Sequence, residues 1–126
     1  MFNVDCNNQL TDFDYLVCAV YFEAGNQGEE GMRLVADTIL NRANDDKFPD
    51  SIRAVLTQRN QFSYWRQKHF KIHYKEEFIK AQIVSLKALL TGSKNKEVLF
   101  FHTKQVSKKC RYGTHVITYK NHVFCG

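Results

Sequence analysis

Apolar residues recur at helical spacing from Phe13 through Leu16, Val17 and Val20 to Ala24, so the chain's first long element reads as a helix buried on one side. Thr11-Asp12-Phe13-Asp14 opens it as a capping box, with Thr11 as N-cap and an acid three residues on. A second helix follows from about Glu29 to Asn44, where Met32, Val35, Ala36, Ile39, Leu40 and Ala43 keep the period. Asn44 to Pro49 reads as a turn, after which Asp50 or Ser51 caps a short helix carrying Ile52, Val55 and Leu56. Residues 57–74 show no clear period. A further long helix runs from about Lys75 to Leu90, with Ile79, Ile83, Leu86 and Leu90 on one face and Gly92 as its stop. The pattern then turns strand-like at 98–102 and 114–119, and the chain closes on His122-Val123-Phe124-Cys125. Helices followed by a small sheet imply an α+β domain, helical over its N-terminal two-thirds with a small C-terminal β-sheet.

One residue conflicts with this pattern. Tyr15 to Phe22 is apolar throughout, yet the next residue is Glu23, followed by the loop-like Ala24-Gly25-Asn26-Gln27-Gly28. At about 100° per residue Glu23 falls at the edge of the apolar stripe, near Leu16 and Val20. A carboxyl group at the end of a buried helix, opening on a loop, is placed to stay protonated near neutral pH, because desolvation disfavours its charged form. The plain alternative is a helix-terminal Glu that faces water.

At 126 residues the chain is read as one domain, 1–126, with its core at about 11–124. Its 44% apolar and 13% aromatic content excludes a disordered chain. No apolar run approaches the ~18 residues of a membrane span, and the start Met1 to Cys6 lacks the basic and apolar regions of a secretory signal. Net charge is +5 but uneven: residues 1–50 hold three Lys+Arg against ten Asp+Glu, and residues 51–126 hold fifteen against three. The basic part fits a polyanionic partner, whether nucleic acid, anionic lipid or a cell-wall polymer, and fits a solvated lysine-rich surface as well.

Cys6, Cys18, Cys110 and Cys125 form no C-x-x-C pair, and the sequence leaves open which of the three possible pairings forms, if any. His69 and His73 are four apart without the H-E-x-x-H context, and nothing in the spacing of His102, His115 and His122 requires a metal. No cofactor or metal is expected. Ser63 lacks a G-x-S-x-G setting, and Gly25 and Gly28 form no phosphate loop. The lysines together with Tyr64, Trp65, Phe70 and Tyr74 leave nucleic-acid binding as the main rival, although no RNP motif, zinc finger or helix-turn-helix is evident. Aromatics beside polar groups, as in Gln61-Phe62-Ser63-Tyr64-Trp65, suit sugar rings equally well. Most glycosidases use two carboxyl groups. The acids considered beside Glu23 are Glu29 and Glu30, which suit the positive end of the second helix, and Asp37.

Read in order, several segments resemble the cell-wall hydrolase family typified by the spore cortex-lytic enzyme SleB. They are Val20-Tyr21-Phe22-Glu23-Ala24, Glu30-Gly31, Val35 to Arg42, Phe48-Pro49, Val55, Gln61-Phe62-Ser63, Phe101-His102-Thr103 and Asn121-His122-Val123-Phe124. The resemblance extends over about residues 13–124. It implies a lysozyme-like domain acting on peptidoglycan glycan strands, with cleavage of the β-1,4 bond between N-acetylmuramic acid and N-acetylglucosamine by a lytic transglycosylase or muramidase mechanism. It implies Glu23 as the catalytic acid and base, with Tyr21, Gln61, Phe62, Ser63, Tyr64, Trp65, His102, Thr103 and His122 binding substrate or lining the cleft. Where the family commonly reads E-A-R-G-E, this chain has Glu23-Ala24-Gly25-Asn26-Gln27, so Gln27 stands at a second acid's place and Gly25 at an arginine's. Cys125 replaces a usual tyrosine. The expected partner is the glycan strand, with no obligatory nucleic acid, no membrane span and a monomeric state; the expected place of action is the bacterial cell wall, and a phage-type lysis enzyme fits a compact chain without a signal. The competing readings are a non-catalytic wall-binding or virion structural module, a basic nucleic-acid-binding protein and an amidase.

Overall fold

A computed structural model describes residues 3–58, 62 and 69–126. Four helices come first: α1 (Asp12–Ala24), α2 (Gly28–Ala43), α3 (Ile52–Thr57) and α4 (Lys75–Thr91). Three strands follow, β1 (Phe100–Thr103), β2 (His115–Tyr119) and β3 (His122–Cys125). Fold class and element order are those read from the sequence.

The starts and stops have local causes. Thr11 Oγ1 accepts from the Asp14 N–H at 3.1 Å while Asp14 Oδ2 accepts from the Thr11 N–H at 3.1 Å, the reciprocal pair of a capping box. Ser51 Oγ accepts from the Ala54 N–H at the start of α3. Gly92 ends α4 at φ 78°, and its N–H donates to the Ala88 carbonyl at 2.8 Å, a backbone conformation that side chains with a Cβ rarely adopt.

Helices α1, α2 and α4 pack on one another, with α3 against α1 and α2. Their core holds Leu16, Val17, Val20, Met32, Val35, Ile39, Val55 and Leu56, all fully buried. One expectation fails in part. The apolar stripe of α4 is largely outside: Ile79 is 42%, Ile83 46% and Leu90 75% exposed. The buried residues of α4 are Ala81, Gln82, Val84, Ser85 and Ala88. Its small side chains let α4 approach α1 and α2 closely, and that packing outweighs the burial available to the larger stripe.

The sheet order is β1-β3-β2, antiparallel throughout. β3 is central and buried along its whole length, which accounts for its apolar run. The alternation read for β2 is interrupted by an irregularity between His115 and Ile117. The connection from β2 to β3 is tight, with Lys120 at φ 47°, the sign that short hairpins of this twist favour.

Two disulfides brace the ends. Cys6–Cys18 ties the segment before α1 to that helix, and Cys110–Cys125 ties the loop after β1 to the end of β3, with Cα separations of 5.8 and 6.0 Å. Each closes a short loop, and bridges of this span stabilise a fold by about 3 kcal/mol.

Candidate active site

Glu23 lies in the last turn of α1, one residue before its end at Ala24. The residue is half-buried, and its Oε1 is shielded from solvent. Tyr15 to Tyr21, consecutive along α1, are all buried, so this part of the helix is enclosed on every side and the carboxyl emerges where the core ends and the loop begins.

That loop is held from the other end of the chain. Gln27 is 5% exposed, its Oε1 accepts from the Asn121 N–H at 3.1 Å, and its Nε2 donates to Asn26 Oδ1 at 2.8 Å. The β2–β3 turn is thereby fastened beside the end of α1. Gly31, one turn into α2, faces the Tyr119 ring, and a Cβ there would come within 3.2 Å of it and 2.6 Å of the Gln27 Cβ. A side chain at position 31 would push the turn away from the helix.

All thirteen Asp and Glu residues of the chain lie among the described residues. Glu29 and Glu30 are exposed in the first turn of α2. Asp37 is fully buried and wholly engaged: Oδ1 pairs with Arg33 Nε at 2.9 Å, and Oδ2 accepts from the backbone N–H groups of Lys94 and Asn95 and from Asn95 Nδ2. Asn41 Nδ2 donates to the carbonyls of Asn95 and Val98, and Arg42 Nε donates to that of Leu99 at 2.6 Å. The Asp37–Arg42 segment is thus a latch that fixes the loop leading into β1. Arg42 is 4% exposed, with its guanidinium 5.1–5.4 Å from the rings of Phe48, Phe62 and Phe100. Burial pushes its pKa down to about 10, so it stays charged at neutral pH and is compensated by the ring faces and the carbonyl.

The other sequence-predicted residues divide by environment. Tyr21 is 6% exposed, and its hydroxyl accepts from the Tyr74 N–H at 3.0 Å, joining the end of α1 to the N-cap of α4. Phe62 is buried against Phe101 and under Arg42. His102 Nε2 faces the carbonyls of Ser107 and Lys109 at 3.1 and 2.9 Å, so it carries the proton and braces the loop after β1. His122 is 4% exposed, edge-on to Phe101 and Phe124, with a buried Nδ1 that has no hydrogen-bond partner among the described residues. Burial, and secondarily the neighbouring His102, lower its pKa from the ordinary 6.5. Thr103 stands opposite His122 across the β1–β3 ladder. Gln61, Ser63, Tyr64 and Trp65 lie outside the described residues. Among the described residues no group of three or more His, Cys, Asp or Glu is gathered for a metal, and no helix is long and apolar enough to cross a membrane.

Sequence reasoning missed the surface beside the loop that follows Glu23. Two adjoining hollows of about 370 and 280 Å³ share Gly25, Asn26 and Tyr74 in their walls. The aperiodic composition of residues 69–74 gave no signal of where that segment would lie.

Comparison with known proteins decides the family. A family model described as Cell Wall Hydrolase matches residues 26–125. The chain belongs to that family. The matched stretch begins three residues after Glu23. Among solved structures, the catalytic domain of the germination-specific lytic transglycosylase SleB from Bacillus anthracis superposes with a TM-score of 0.77 at 20% identity, covering 98% of this chain and 100% of that one. The catalytic domain of the Bacillus cereus SleB protein gives 0.75 at 20% identity, covering 97% and 98%. No curated protein sequence matches. The α+β architecture is therefore shared along the whole length with the SleB catalytic domains, and membership of the cell wall hydrolases makes this a peptidoglycan-degrading enzyme.

Proposed function

We propose that this enzyme cleaves peptidoglycan glycan strands at the β-1,4 bond between N-acetylmuramic acid and N-acetylglucosamine, with Glu23 as both acid and base. The observation that carries the reading is the setting of Glu23: a half-buried carboxyl with one oxygen withdrawn from water, at the end of α1. The protonated carboxyl donates its proton to the glycosidic oxygen, and the leaving sugar departs as an alcohol. The substrate's own N-acetyl group stabilises the resulting cation. The carboxylate then takes the proton of the muramic C6 hydroxyl, whose oxygen closes a 1,6-anhydro ring. No water is consumed, and Glu23 ends protonated as it began.

The distribution of acids argues against two-carboxylate hydrolysis. That mechanism needs a second carboxyl group across the bond, and the position four residues on is the amide Gln27. Glu77 shares the wall of the larger hollow with Gly25 and Asn26, and it supplies the competing reading. Mass spectrometry of fragments released from purified peptidoglycan separates the two. Wild type yields anhydro products, and Glu23→Gln lowers release by about 10²–10⁴-fold, the usual contribution of general acid–base catalysis. Undiminished release by Glu23→Gln would remove the assignment. Products heavier by one water, lost in Glu77→Gln, would establish two-carboxylate hydrolysis instead. We place the site of action at the bacterial cell wall and read the chain as a single catalytic domain acting as a monomer.

A further inference from the structure

We infer that the groove formed by the two hollows beside Asn26 is a subsite for the peptide stem of the substrate, an inference that rests on the glycan-cleaving reading above. Asn26 follows Glu23 by three residues, and because Gly25 continues the right-handed helical backbone the two share a face about one turn apart, roughly 5 Å. Peptide stems hang from the muramic unit of the scissile bond, so a stem leaves the cleft within a few ångströms of the acid. The groove opens at Gly25 and Asn26, within one turn of the acid.

The groove's chemistry is that of a peptide receptor. The smaller hollow is bordered by Lys71 and His73, and the larger by Glu77 and Lys80. Tyr74, 68% exposed, stands in the wall of both. A neutral sugar offers hydroxyls but no charge to two ammonium groups and a carboxylate. A stem offers carboxylates and, where its third residue is a diamino acid, an ammonium group as well, which matches Lys71, Lys80 and Glu77 in kind. The Asn26 amide is oriented for the same purpose. Gln27 Nε2 holds its Oδ1, and among the described residues its Nδ2 donors serve no protein acceptor, which leaves them for a stem carbonyl. An acid at position 27 could not make that contact. Gly25, without a side chain, floors both hollows.

Titration of the whole protein with a free acidic tripeptide containing a diamino acid, followed by amide NMR shifts, tests the proposal without any turnover. Shifts should gather at Asn26 and along residues 71–80, and the Lys71→Ala, Lys80→Ala double variant should bind about tenfold more weakly, as expected for lost charge-assisted contacts. On glycan strands, wild type should cleave stem-bearing chains faster than chains stripped of stems, and the variant should narrow that ratio. Shifts located elsewhere, no shifts at millimolar peptide, or an unchanged affinity in the variant would overturn the subsite. Peptide binding at the groove with no glycan release by wild type would instead overturn the cleavage reading and leave the groove in place.

Discussion

Gln27 and Asn121, ninety-four positions apart, are joined by a hydrogen bond from the Asn121 N–H to the Gln27 Oε1 at 3.1 Å. The amide is the right group for this place because it accepts from the turn and donates to Asn26 at once. A glutamate there would keep the acceptor, lose the donor and set a buried carboxylate against the Asn26 oxygen. Gln27→Glu should therefore lower stability by about 1–3 kcal/mol without raising activity. Urea midpoints read at pH 5 and pH 8 should show the larger loss at pH 8, where the buried acid is charged.

Arg42 makes a second prediction. Its planar guanidinium contacts three aromatic rings and a backbone carbonyl while almost fully buried. Lysine keeps the charge and loses the flat surface and the donor fork. Arg42→Lys should lower stability by about 2 kcal/mol, measured by chemical denaturation. A change within a few tenths would mean that the rings pack equally well around an ammonium group.

The disulfides make a third. Replacing Cys110 and Cys125 together by alanine should lower stability by about 3 kcal/mol, and the Cys6, Cys18 pair by a similar amount. Thermal melts of the two double variants, with and without reductant, give the measurement: wild type should fall on reduction, and each variant should fall less. Insensitivity of the wild-type melt to strong reductant would show the bridges to be dispensable.

His122 makes a fourth, through pH. Burial and then His102 lower its folded-state pKa below 6.5, so the unfolded chain binds a proton there at higher pH than the folded one. Its contribution to stability is complete above 6.5 and is lost as pH falls through the folded-state value, at up to about 1.4 kcal/mol per pH unit. Imidazole NMR titration should find the His122 midpoint below 6.5. A midpoint at or above 6.5 would contradict the burial argument.

Much of this molecule is legible in its sequence because its local signals agree with its packing. Thr11 with Asp14 starts α1, Ser51 starts α3 and Gly92 stops α4, each through a backbone contact its own side chain or its lack of one dictates. The face of α4 was not legible, because periodicity reports which residues share a side and not which side another helix can approach most closely. The role of Asp37 was equally hidden. Its partners on Lys94 and Asn95 lie 57 and 58 positions away, and no spacing rule reaches that far. Glu23 was visible as a carboxylate out of place, whereas Tyr21, apolar in pattern, gave no sign that its hydroxyl would meet the start of α4.

The contacts of Gln27 with Asn121 and of Gly31 with Tyr119 also set an order of events in synthesis. The helices are made first, and the turn that fastens the loop beside Glu23 emerges roughly ninety residues later. Closing so long a loop is slow compared with forming a helix. The nascent chain therefore carries its proposed acid on an unfinished wall until the β2–β3 turn arrives and the two distant ends of the fold meet.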